Sequence, residues 1–226
     1  MLEDKLVQLL AKDPIRVQAL QCVRSLDLPD CYIAAGFVRN LVWDHLHQKQ
    51  NPTPLNDLDV VYFDPNELDE QAYLKYEAQL NALMPELNWQ VRNQANMHLR
   101  NGDEPYQSTL DAMSYWPEKE TAVAARLSEN SQIECISAFG FESLFEGQVT
   151  YNPKRILTLF QSRVESKNWL ITWPQLQVAV QALLTPETGY ENAQSRSPKT
   201  NEVAWVDTGG SGKSRSNPHL QKRSMR

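Results

Sequence analysis

Apolar positions along the chain alternate between two spacings, and each spacing predicts an element. In DPIRVQALQCVRSL the apolar residues Ile15, Val17, Leu20, Val23 and Leu26 fall close to a helical stripe, with Asp13 as N-cap and Pro14 at the first helical position. CYIAAG is a short apolar run ending at Gly36, and FVRNLVWDHLHQ then recovers helical spacing through Phe37, Leu41 and Leu46. The polar, proline-containing stretch QKQNPTPLN breaks the chain. DLDVVYF follows, rich in β-branched and aromatic residues and stopped by Asp64-Pro65, and reads as a central strand. ELDEQAYLKYEAQLNALMPEL predicts a helix, and NWQVRNQ, TAVAARL and QIECISAF predict shorter strands, so at least five strands are expected. PKRILTLFQSRVESK and WPQLQVAVQALL predict two further helices, each with a proline near its first turn.

The pattern dissolves after about residue 187. The remainder is dominated by Ser, Gly, Asn, Pro and charge, a composition that cannot bury enough apolar surface to offset ordering entropy. The expected organisation is one α/β domain over residues 1–186 and a disordered basic tail over 187–226. TGGSGKS in that tail resembles a phosphate-binding loop, but Asp207 stands where the pattern needs its first glycine and no helix-forming sequence follows Ser214.

Composition narrows the function classes. The chain has 226 residues, 41% of them hydrophobic and 22% charged, which suits a globular domain with a buried core. Its net charge of −6 is uneven: residues from 191 onward carry about +4 and the rest about −10. An acidic body argues against duplex nucleic acid as partner, because counterion release needs a field of Lys and Arg. Cys22, Cys31 and Cys135 are too few and too scattered for a disulfide framework, which points to a reducing, cytoplasmic compartment. No run approaches the ~18 apolar residues of a membrane span, so no membrane partner is expected.

Candidate chemistry concentrates between Ile33 and Phe63. Side chains alternate along a strand, so Asp57 and Asp59 share one face, about 7 Å apart at a rise of ~3.3 Å per residue. Two carboxylates so placed suit Mg²⁺, which prefers one or two of them together with water and substrate phosphates. Gly36, in a turn leading into a helix, lets backbone N–H groups approach phosphate oxygens, and Arg39 adds a cation one turn on.

This segment resembles the nucleotidyltransferase superfamily shared with DNA polymerase β, poly(A) polymerase and the CCA-adding enzymes, whose pattern is a glycine turn followed by an Asp-x-Asp strand. Gly36, Val38, Arg39, Asp57 and Asp59 fall on the GG-x-V-R-D…D-x-D segment of CCA-adding enzymes; Ala35 replaces its first glycine and Asn40 its aspartate. Up to residue 185 the body, including NQANMHL, MSYWPEKETAVAARL, ISAFGFESLF and the Arg163…Trp173-Pro174 stretch, resembles a family of uncharacterised bacterial nucleotidyltransferase-like proteins. The resemblance implies a mixed sheet flanked by helices, Asp57 and Asp59 as catalytic metal ligands, and nucleotide binding by Gly36 and Arg39. It also implies a third metal carboxylate, for which Glu134 is the candidate; its alternation with Ile133 and Cys135 suits a metal-facing or merely a solvent-facing acid. Asn93, His98, Arg92, Lys154 and Arg155 are further polar groups whose ordinary roles are structural.

The implied reaction is attack by a hydroxyl of an unidentified acceptor on the α-phosphorus of a nucleoside triphosphate, with Mg²⁺ as cofactor and pyrophosphate leaving. Two alternatives stay open: modification of RNA ends, and a nucleotide-binding or regulatory domain without turnover. If Arg39 were only structural, its position at the positive end of a helix dipole predicts that truncation leaves the empty protein as stable as before or slightly more so.

Overall fold

The computed structural model describes residues 1–180, so the tail expected over 187–226 lies outside the described residues. Strands β1 (Tyr32–Ala34), β2 (Asp57–Tyr62), β3 (Asn88–Asn93), β4 (Val123–Leu127) and β5 (Ile133–Ser137) form one sheet in the order β3-β2-β1-β4-β5. β2 and β3 run parallel and the other pairs antiparallel, so the sheet is mixed. These are the five runs whose spacing predicts strands.

One face of the sheet carries the main core. Ile33, Leu58, Val60, Trp89, Val91 and Val123 point into it. Helices α1 (Leu2–Ala11), α2 (Pro14–Arg24), α3 (Gly36–Leu46) and α4 (Ala72–Leu83) pack around it, α1 against β5, α2 against β4 and α4 against β3. Asp13 caps α2 by accepting the Arg16 N–H at 3.0 Å, as the sequence predicts. The stripe itself is rotated: Ile15 is exposed, while Arg16 is buried and donates through Nε to the Phe37 carbonyl at 2.9 Å. The buried guanidinium supplies a partner to a carbonyl in the first turn of α3, which an aliphatic side chain could not do.

The opposite face is smaller and holds Tyr32, Ala34, Val61, Ala122 and Ala124, with Met113 of α6 (Thr109–Met113) packed on them. α5 (Met97–Asn101) follows β3, and a 3₁₀ turn at Lys119–Thr121 leads into β4. After β5 the chain forms α7 (Glu142–Phe145), β6 (Gln148–Thr150), α8 (Leu157–Ser166), α9 (Trp169–Thr172) and β7 (Gln177–Ala179), and β6 and β7 pair in parallel.

The helix predicted over WPQLQVAVQALL is absent from the described part of that run. Trp173 is extended, as the residue before a proline is constrained to be, and Gln177–Ala179 joins β6 as a strand. Its position is set by tertiary contacts. The Trp173 ring packs edge-on to Trp43 at 5.1 Å between centroids, and its Nε1–H donates to Asp44 Oδ1 at 2.8 Å. Asp44, buried on α3, also accepts the Thr53 N–H at 2.6 Å and the Thr53 hydroxyl at 2.7 Å. One carboxylate thus ties α3, the loop entering β2 and the C-terminal segment together.

Replacing Asp44 with Ala leaves three donors without their acceptor. We expect Asp44→Ala to lower unfolding stability by about 2–4 kcal/mol. Denaturant titration measures this, and an unchanged midpoint would remove the tether from the account of stability.

Candidate active site

Alternation along β2 sends Leu58 and Val60 into the main core and Asp57, Asp59 and Val61 to the opposite face. There both carboxylates line a cleft of about 290 Å³. Gly36 and Arg39 line it too, so the structure brings four of the five predicted site residues into one concavity.

The turn between β1 and α3 builds the floor. Ala35 precedes the helix with φ +54° and ψ −119°, a conformation that suits glycine and costs an L-residue on the order of 1–3 kcal/mol. This is the position where the CCA-adding pattern has its first glycine. The Ala35 N–H donates to the Val123 carbonyl at 2.9 Å, which fixes the turn on β4. Gly36 comes next, and a Cβ there would press within 3.3 Å of Asn40 Nδ2. A bare backbone at Gly36 therefore leaves the start of α3 approachable from the cleft at the N–H groups of Gly36 and Phe37, while those of Val38 and Arg39 donate to the Ala35 carbonyl.

Arg39 is buried. Its guanidinium lies over Trp43 at 4.9 Å and Trp169 at 4.5 Å, and Nη1 donates to Thr121 Oγ1 at 2.6 Å. Nε and Nη2 both donate to Asn40 Oδ1, at 3.2 and 3.1 Å. These contacts overturn the expectation that truncation is neutral or stabilising, because stacking and hydrogen bonds outweigh a helix-dipole penalty of a few tenths of a kcal/mol.

Glu134 is not brought to the cleft. It shares the sheet face of Asp59, but β1 and β4 stand between β2 and β5, a lateral separation of about 14 Å at ~4.8 Å per strand. Its carboxylate accepts instead from Arg126 Nε at 2.8 Å. The residues in register with Asp57 and Asp59 on β3 are amides, Asn88 and Gln90, and Asn88 Nδ2 donates to Asp57 Oδ1. Among the described residues no group of three or more His, Cys, Asp or Glu is arranged to hold a metal ion.

The remaining polar candidates divide. Arg92 lines the cleft but is paired with Glu77 at 2.6 Å and stacked on Tyr73. Asn93 knots the segment after β2 by accepting from the Asp64 and Ala95 N–H groups. His98 faces the Ala95 carbonyl through Nδ1 at 2.8 Å. Arg155 forms an ion pair with Asp103, whose carboxyl burial would raise but which Arg155 and Tyr106 together hold below its ordinary range. Lys154 donates to Ser114 Oγ at 2.9 Å.

Sequence reading missed the wall contributed by the C-terminal helices. Arg163 and Lys167 line the cleft together with Trp169 and Trp173. Arg163 donates to the buried Glu118 through Nε at 2.6 Å. The available signal was their spacing of four in a predicted helix, which puts both cations on one face.

Comparison with known proteins gives two kinds of match. The model of a nucleotidyltransferase family matches residues 21–178. The chain belongs to the nucleotidyltransferase family. A solved structure described as an NMR structure revealing a CCA-adding enzyme head domain is 32% identical over 79% of this chain and 96% of its own, with a TM-score of 0.70. A CCA-adding enzyme solved in complex with CTP is 15% identical over 78% of this chain and 43% of its own, with a TM-score of 0.47. No curated protein matches. The family assignment agrees with the mixed sheet and with the Asp-x-Asp strand beside a helix N-terminus.

Arg39→Ala in this nucleotidyltransferase is expected to lower the stability of the empty protein by about 2 kcal/mol, and Arg39→Lys to restore only part of it, since an ammonium lacks the planar fork. Thermal unfolding without nucleotide checks this. A melting temperature equal to wild type for Arg39→Ala would show that the stack carries no stability.

Proposed function

We propose that the chain transfers a nucleoside monophosphate from a nucleoside triphosphate to a hydroxyl acceptor, with release of pyrophosphate. The observation that carries this reading is the placement of Asp57 and Asp59 on one face of β2, opening into the same cleft as the N-terminus of α3. Family membership supports the transfer reaction in general.

The two carboxylates fit a divalent cation, Mg²⁺ in this reading. They are hard oxygen donors on a rigid central strand, both reach the cleft, and Mg²⁺ needs few protein ligands when substrate phosphates complete its shell. Bound there, the ion would supply charge neutralisation for the phosphates and lower the pKa of the acceptor hydroxyl. The chain's own residues do the rest. First-turn N–H groups at Gly36 cradle phosphate oxygens, while Arg39 and Lys167 hold positive charge where the triphosphate's negative charge lies. Trp43 and Trp169 keep the Arg39 guanidinium oriented, which limits reorganisation as charge shifts toward the leaving pyrophosphate.

A second reading, nucleotide binding without turnover, draws on Gln90 beside Asp59, where among the described residues no third acid is grouped with the pair. The three free cysteines support a reducing, cytoplasmic setting, and no helix of the described residues is long and apolar enough to cross a membrane.

Asp57→Asn and Asp59→Asn each keep side-chain shape while removing a charge from the pair. We expect both variants to melt close to wild type and to lose Mg²⁺-dependent triphosphate binding by at least about tenfold, with loss of pyrophosphate release. Calorimetric titration of triphosphate with and without Mg²⁺ measures it. Wild-type binding in both variants would end the metal assignment, and Mg²⁺-dependent binding without pyrophosphate release on any acceptor would select the second reading.

A further inference from the structure

The cleft has two chemically different ends, and the strand order says which is which. Asp59 lies in register with Ala34 of β1 on one side and Gln90 of β3 on the other. The β1 side leads to Gly36 and Arg39 of α3, and α8 and α9 lie on that same side, because Trp169 stacks on Arg39 and Arg163 pairs with Glu118 next to the turn that holds Thr121. Cationic and aromatic groups therefore gather beyond β1, where the triphosphate belongs.

The β3 side is lined by Gln90, Gln94, Met97 and Asn101. Each of its amides has one end engaged within the protein. Gln90 Oε1 accepts from Arg92 Nη2 at 2.9 Å, Gln94 Nε2 donates to the Arg92 carbonyl at 3.3 Å, and Asn101 Nδ2 donates to the Tyr106 hydroxyl at 3.1 Å. Among the described residues nothing engages the other ends, which are Gln90 Nε2, a donor, and Gln94 Oε1 and Asn101 Oδ1, both acceptors. Among the described residues the cation of this wall is Arg92, and it is paired with Glu77.

A ligand matched to this wall offers groups that donate and accept at once and carries no net charge. Hydroxyls do both. A nucleic-acid strand would present phosphates to neutral amides, and a strand needs cations along its backbone. Resting on the transfer reaction proposed above, the geometry points to a small neutral polyhydroxylated acceptor, a sugar or cyclitol, bound between Asp59 and α5 by Gln90, Gln94 and Asn101. One of its hydroxyl oxygens forms a bond to the α-phosphorus as the bond from that phosphorus to the bridging oxygen breaks. The electron pair leaves with pyrophosphate, and the hydroxyl proton passes to solvent.

The test incubates the full chain with Mg²⁺ and α-phosphate-labelled nucleoside triphosphates. The acceptors are glucose, galactose, N-acetylglucosamine, trehalose and myo-inositol in one set, and short single-stranded RNA and serine- or tyrosine-containing peptides in another. Triphosphate binding is measured separately by calorimetry. The expected result is label on a member of the first set with matching pyrophosphate release. Asn101→Ala and Gln90→Leu then raise the KM for that acceptor about tenfold each, the effect of one lost hydrogen bond, while the triphosphate Kd stays within about twofold. Label on RNA or peptide, or on nothing while triphosphate still binds, overturns the acceptor assignment and leaves the nucleotide site standing. An unchanged acceptor KM in both variants overturns the role of the amide wall. Absence of triphosphate binding overturns this inference together with the reaction it rests on.

Discussion

A carboxylate placed in a protein interior keeps its place only if its oxygens find donors, and Asp44 finds three of them on two distant parts of the chain, Thr53 and Trp173. Because it sits on α3, the helix whose first turn forms the cleft floor, this requirement draws both the loop entering β2 and Trp173 toward that helix. Trp173 and Trp169 then meet Trp43 edge-on, and Trp169 closes over the Arg39 guanidinium. The aromatic wall of the cleft is a consequence of satisfying one buried acid. The same tether also fixes where the chain enters β2, at Thr53, four residues before Asp57.

The sheet supplies the second constraint. A parallel β2–β3 pair and an antiparallel β1–β2 pair set three rows of side chains across β2, so the partners of the two aspartates are decided by register. On the β1 side the register delivers small residues, Ala34 and Ala124, which leave room for the turn at Gly36. On the β3 side it delivers Asn88 and Gln90. A site of opposite ends follows, with charge gathered on one side of the carboxylates and neutral amides on the other. Ala35 completes the floor at the expense of backbone strain, and its N–H anchored on β4 is what over-determines that conformation.

The five sheet strands, α2 with its Asp13 cap, α3 and the Asp57–Asp59 pair could all be read from the chain, because each depends on local alternation, capping or punctuation. What could not be read depends on partners distant in sequence. Glu134 lies on a correctly anticipated strand, yet its distance from Asp59 follows from strand order, which periodicity does not encode. Arg39 could be read as a cation at a helix start aimed at phosphate, but its burial depends on the docking of Trp169 and Thr121. Arg16 exchanges places with Ile15 in the expected stripe, its buried guanidinium held by the Phe37 carbonyl. The run after Trp173 has helical composition, yet its residues Gln177–Ala179 form a strand, since β6 offers backbone partners. Gln90 carries no motif, and register alone places it beside Asp59.

The contacts that wall the cleft join residues very far apart along the chain: Trp173 meets Asp44 across 129 positions, Arg39 meets Thr121 across 82 and Arg163 meets Glu118 across 45. Closing such loops costs entropy before any contact compensates for it, so these are late events in folding. During synthesis the aspartate strand and its helix leave the ribosome well before the tryptophans that cover them. A chain interrupted after Asp59 and before Arg163 holds both carboxylates but lacks the wall residues Arg163, Lys167, Trp169 and Trp173, so the cleft is completed only once the later segment has been made.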